Sequence, residues 1–213
     1  MLLYCRISGC YRLCMGEAES TAFLAPALGP KVSLARKLGT TAHQSLLLHR
    51  LRRLGLDTPE KLAALAESRG LDYYAGSRPA SMPTPPLAAA DVTTEELAVA
   101  LLHPCLPWEP QRIRMAAALL AAPGVQASTV ARLAVLERNA AVVREIALAG
   151  QSEEPANSFW PALLGLLPLA PAVPSGVLPH RSRYMAITGR ARPGAMPTRQ
   201  WIRPIPPGCH DPR

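Results

Sequence analysis

Residues 128–149 read Ser128-Thr-Val-Ala-Arg-Leu-Ala-Val-Leu-Glu-Arg-Asn-Ala-Ala-Val-Val-Arg-Glu-Ile-Ala-Leu-Ala149, with neither glycine nor proline. Val130, Leu133, Leu136, Ala140, Val143 and Ala147 recur every three or four positions, the spacing that lines one face of an α-helix. Two helices joined near Arg138-Asn139 fit the stretch better than one long helix. Asn139 is then a plausible cap and Gly150 a plausible terminus.

The same grammar repeats on both sides of this stretch. Glu109-Pro110 opens a preceding helix, with Trp108 and Ile113 spaced as a hydrophobic staple. Ile113, Ala116, Ala117 and Leu120 form its apolar face, and Pro123-Gly124 closes it. Thr93-Thr-Glu-Glu96 is a capping-box sequence for a helix reaching about Leu102, before His103-Pro-Cys-Leu-Pro-Trp108 breaks it. Upstream, Thr41-Ala-His-Gln44 predicts a helix start, with Leu47, Leu48, Leu51 and Leu54 as its apolar side. After a turn at Gly55, Asp57-Thr58-Pro59-Glu60 begins a helix whose stripe is Leu62, Leu65 and Ala66, and Gly70-Leu71 stops it. Alternating β-type runs are missing, so no strand is predicted.

These signals predict an all-α fold, a small helical bundle of about five to six short helices in two hairpin-like blocks. Residues 1–30 read as a weakly structured arm, 31–78 as a helical hairpin, 79–90 as a proline-rich linker and 91–168 as the main bundle. Residues 169–213 read as a disordered, basic, proline-rich tail. Hydrophobic residues make up 49% of the chain but aromatics only 5%, so the core must rely on leucine and on alanine-mediated close approach.

Charge is unevenly distributed. Residues 1–90 hold 11 basic and 6 acidic residues, 91–154 hold 5 and 8, and 155–213 hold 7 and 1, giving +5, −3 and +6. Arg50, Arg52 and Arg53, beside His43 and His49, read as a solvated helix face because no aromatic side chains are interleaved to stack bases. The five cysteines, at 5, 10, 14, 105 and 209, form no paired framework, and the opening residues carry Arg6 and Arg12 where an export signal would be apolar. A cytoplasmic location is therefore expected. Residues 155–179 are uncharged and long enough for a bilayer, but Pro161, Pro168, Pro171 and Pro174 interrupt them. No membrane span is expected there, only a short helix from about Ser158 to Leu167.

The stretch Ala116-Ala-Ala-Leu-Leu-Ala-Ala-Pro-Gly124-Val-Gln-Ala-Ser-Thr-Val130-Ala-Arg-Leu133 resembles the helix-turn-helix of lactose-repressor-type regulators. Gly124, Val125, Thr129, Val130, Arg132 and Leu133 carry the likeness, while Leu120 and Pro123 depart from it. The resemblance implies a helix at 128–137 in the major groove of duplex DNA. Ser128, Thr129 and Arg132 would then face the bases, and Arg112, Arg114 and Arg138 the phosphates.

Catalytic signatures are missing from the sequence: no phosphate-cradling loop, nucleophile elbow or zinc-protease motif occurs. The cysteine and histidine spacings do not match a zinc module, so no metal, cofactor or catalytic residue is expected, and His103 reads as a helix-end residue. The leading expectation is a non-enzymatic helical adaptor that binds an as yet unidentified protein partner. Duplex DNA binding is the alternative.

Overall fold

The computed structural model describes residues 32–39, 44–71 and 91–180, together with the backbone of two short strands at 185–188 and 198–201. Among these residues the chain is all-α, with eight helices. They are α1 (Leu34–Leu38), α2 (Leu46–Arg53), α3 (Pro59–Ala66), α4 (Thr94–Leu101), α5 (Pro110–Leu120), α6 (Ala127–Leu136), α7 (Ala140–Glu153) and α8 (Phe159–Leu166).

Helix starts follow the local chemistry. The Thr93 hydroxyl accepts from the Glu96 amide at 3.1 Å while the Glu96 carboxylate takes the Thr93 amide at 3.0 Å, so the capping box is complete. Thr58 caps α3 with Pro59 in its first turn. At α2 the cap is Ser45, whose Oγ accepts from the Leu48 amide at 2.8 Å, four residues beyond the expected Thr41, which lies outside the described residues. The stop at Gly70 takes φ +93°, and Leu71 behind it is fully buried.

Helix α4 is the hub, packing against α2, α3, α5 and α6. Its residues Leu97 to Leu102 are all buried. Polar ties fix the directions of its neighbours. Glu95, in the first turn of α4, accepts from the Gln126 amide just before α6, and Val99 near the other end accepts from Asn139 just after α6. Thus α6 runs parallel to α4. Helix α2 runs the opposite way, with Arg50 bonded to Glu96 and the Asp91 carbonyl, and Leu47 held beside the end of α6. Arg69, after α3, donates to the Val92 carbonyl and to the Thr94 hydroxyl. The two sequence blocks therefore share a single hydrophobic core, extending from Leu34 to Val177. Ala98, Ala100, Ala116, Ala117 and Ala118 have no exposed surface in the α4 and α5 layer, as an alanine-rich core requires.

The break at Arg138-Asn139 is real, and α6 and α7 are separate helices. Gly150, however, does not end α7; it lies inside the helix, where Trp160 of α8 lies against it. The glycine marks a close approach of two helices, a signal that sequence punctuation reads as a stop. Helix α8 spans nearly the expected residues and buries Trp160 and Leu163.

The proposed boundary of the tail moves. Residues 169–180 return to the bundle: Val177 is buried, Val173 and Leu178 pack against the core, and the Trp108 indole donates to the Val177 carbonyl. Trp108 also carries the Lys37 ammonium 3.7 Å from its ring centre, which ties down the unpredicted helix α1. One short ribbon lies beyond the bundle and leaves the all-α reading intact: Met185–Thr188 pairs antiparallel with Thr198–Trp201, Met185 opposite Trp201. Four-residue strands are too short to show a period against the proline and glycine around them. The arm at 1–30 and the linker at 79–90 lie outside the described residues.

Candidate interaction surface

The corner between α6 and α7 organises one end of the molecule. Glu137 ends α6, Arg138 takes a left-handed conformation at φ +54°, and the Asn139 amide closes the turn on the Ala134 carbonyl at 3.0 Å. This geometry turns two polar side chains inward, leaving Glu137 only 4% and Asn139 1% exposed. Asn139 does not cap its own helix, as the sequence suggests. Its Nδ2 donates instead to Val99 of α4 at 2.9 Å.

Glu137 collects three segments. Oε1 accepts from the Leu47 amide at 3.2 Å, Ser45 bonds to the same carboxylate, and Oε2 stands 3.4 Å from Nε2 of the fully buried His103. Nδ1 of His103 accepts from the Cys105 amide at 3.1 Å, so the ring proton sits on Nε2, the nitrogen facing the carboxylate. His103 follows α4, as expected of a helix-end residue, and it ties that end to the corner.

Burial alone would push the Glu137 carboxyl up, but hydrogen bonds from His103, Ser45 and the Leu47 amide together hold it below the usual glutamate range. The folded chain therefore favours the ionised form more than the unfolded chain does. That stabilisation is complete above the unfolded value of about 4.3 and is lost as pH falls through the lower, folded value. In urea titrations between about pH 6 and pH 3, the unfolding midpoint should fall with acid, and the Glu137→Gln variant should show a flatter fall. Equal slopes for the two proteins would remove Glu137 from the acid response.

Beside this network several large apolar side chains are exposed. On α6, Val135 is 50% and Leu136 59% exposed, and on α2, next to the tethered Leu47, Leu46 is 80% exposed. Leu136, assigned by its period to the core stripe, instead faces solvent at the last turn. Helix α8 ends nearby in topology, since Arg144, one turn into α7, donates to the Leu164 carbonyl; exposed Leu166 and Leu169 thus belong to the same end. Of the six large exposed hydrophobic residues among those described, five lie at this end, Val32 being the other.

The residues predicted for DNA contact divide. Ser128 and Arg132 are exposed one turn apart on α6, Arg138 is exposed at the corner, and Thr129 and Arg114 are half-buried. Arg112 is corrected outright: it is 3% exposed, donates to the Pro107 carbonyl and lies 3.3 Å from Glu109, so it is not available to a phosphate. Its i−3 acid, Glu109, and the exposed-chain context of an arginine concealed this, because only the fold of 104–109 brings the carbonyl over it. Helix α6 packs chiefly on α4 and α8, and α5 on α4. The resemblance requires consecutive helices α5 and α6 to brace each other. Sequence reading missed Leu46, Val135 and Glu137, and it read His103 as a helix-end residue without its link to Glu137. An apolar pair Val135-Leu136 straddling the edge of a helical stripe was the available signal.

A separate open cleft of about 490 Å³ lies between the α5–α6 turn and the α7–α8 turn, lined by Pro123, Gly124, Asn157 and Phe159 among others. Its one acidic group, Glu154, accepts from Asn157 and from the Trp160 indole. Among the described residues no three potential metal ligands converge, and no helix is long and apolar enough to cross a membrane. Comparison with protein-family profiles, with curated proteins and with solved structures finds no match to this chain.

Proposed function

We propose that this protein is a helical interaction module that binds another protein through the end formed by α2 and α6. The observation that carries the reading is the gathering of Leu46, Val135 and Leu136 in solvent beside the corner at which Glu137 holds the Leu47 amide and Asn139 the Val99 carbonyl. Scattered exposed leucines are ordinary; a cluster set on an ordered scaffold is the usual form of a recognition surface. A photoreactive phenylalanine analogue at Leu136 should give a protein adduct of defined size in extracts of the native host. The same analogue at exposed Gln151 of α7 should not, and Leu46→Asp should abolish the adduct. Identical labelling from both positions would defeat the proposal.

Duplex DNA is the second reading, and Ser128 and Arg132, displayed together on the outer side of α6, favour it. It would stand on salt-dependent duplex binding that Arg132→Ala weakens, and fall if no duplex binds at low salt.

A further inference from the structure

From the charges around this surface we infer that its partner is an acidic amphipathic segment, a helix with leucine-type anchors on one side and carboxylates beside them. The inference rests on the interaction-module reading and names the chemistry of the ligand.

Helices α2 and α6 lie antiparallel along the same hub, and neither contains an acidic residue: α2 is Leu-Leu-Leu-His-Arg-Leu-Arg-Arg and α6 is Ala-Ser-Thr-Val-Ala-Arg-Leu-Ala-Val-Leu. Arg132 on α6, one turn before Leu136, and Arg138 just after it are both exposed, as is Arg53 two turns along α2 from Leu46, and all three have no carboxylate partner among the described residues. The acids at the border are already engaged, Glu96 by Arg50 and Glu95 by the Gln126 amide. Glu137, the acid nearest the apolar cluster in sequence, is turned inward. The surface is thus an apolar centre, Leu46, Val135 and Leu136, in a cationic setting.

Such a pattern selects a ligand carrying both complements. An uncharged amphipathic helix would cover the leucines but leave the arginines unmatched. A basic one would be repelled. Nucleic acid would satisfy the arginines and leave the three apolar side chains against water or a phosphate backbone, and neither helix carries a phenylalanine, tyrosine or tryptophan to stack a base. An acidic helix laid on the cluster buries the anchors and brings carboxylates to arginine forks, the stronger kind of charged hydrogen bond.

The full chain should be titrated by fluorescence anisotropy against four probes. These are a labelled peptide with leucine at i, i+3, i+4 and i+7 and glutamate between, its scrambled isomer of equal charge, a duplex oligonucleotide, and phosphatidylserine vesicles. The patterned peptide should bind at least about tenfold more tightly than its scramble, and either Arg132→Glu or Leu136→Asp should remove about that factor. Raising sodium chloride from about 50 mM to about 300 mM should weaken it too. Unchanged far-ultraviolet circular dichroism and melting midpoint for both variants ensure that the loss is local. Equal affinity for peptide and scramble, insensitivity to either substitution, or tighter binding to duplex or vesicles than to the peptide overturns the inference. Failure of the peptide to compete with a protein adduct at Leu136 removes the acidic partner alone. Absence of the adduct removes the interaction module as well.

Discussion

Glu137→Ala is expected to destabilise the folded chain by about 2 to 4 kcal/mol, because it removes the acceptor that several buried donors share. The carboxylate is the shared acceptor for the Leu47 amide and the Ser45 side chain, and it faces the proton-bearing nitrogen of His103. Truncation leaves these donors in a region that water does not reach, and each unsatisfied buried group carries about 1 to 3 kcal/mol. Glu137→Gln should lose less, since an amide oxygen can still accept from Leu47. Urea unfolding monitored through the tryptophans reads both. A loss below about 1 kcal/mol for the alanine variant, the size of an exposed pair, would show that the network adds little to stability.

Gly150→Ala is expected to destabilise by about 2 kcal/mol, although alanine is favoured over glycine inside a helix by about 1 kcal/mol. A Cβ at this position would overlap Cδ2 and Cε2 of Trp160 and lie 2.8 Å from Cζ2. The indole has little freedom to yield. It is fully buried, its Nε1 donates to Glu154 at 3.2 Å, and Phe159 packs edge-on to it at 4.9 Å between ring centres. Combining Gly150→Ala with Trp160→Leu should therefore lose less than the sum of the two single changes, which a double-mutant cycle of melting or urea data measures. A rise in stability on Gly150→Ala alone would mean that α7 and α8 separate readily, and would contradict the close approach described here.

The helices were legible wherever a local pattern decides them. Thr93 and Thr58 announce their helices because a cap is a matter of a few adjacent groups, and the leucine and alanine periods of α3, α5 and α7 survive in the fold. Misreadings arose where distant segments set the outcome. Gly150 looks like a terminus until Trp160 is brought against it, and Asn139 looks like a cap until Val99 offers a carbonyl. Leu136 keeps the helical period yet faces water, because it is the last residue of the helix and the core that buries Leu133 and Ala134 does not extend over it. The surface itself was the least legible feature. It depends on Leu46 and Leu136, ninety residues apart, being drawn to one end by a glutamate whose role the sequence does not mark. Arginine-rich runs could be read as solvated faces, but which arginines stay unpaired depends on where Glu96 and Glu109 fall.

On the proposed reading, the carboxylate of Glu137 also couples partner binding to folding. It joins the first turn of α2 to the end of α6, so exposed Leu46 and Leu136 share one end of the molecule when both helices are docked. Any ligand that settles there must therefore draw the whole conformational equilibrium toward the native state by mass action, in proportion to its concentration relative to its dissociation constant. On the same reading, a buried lesion far from that end, such as one at Trp160, weakens binding only by depleting the folded state.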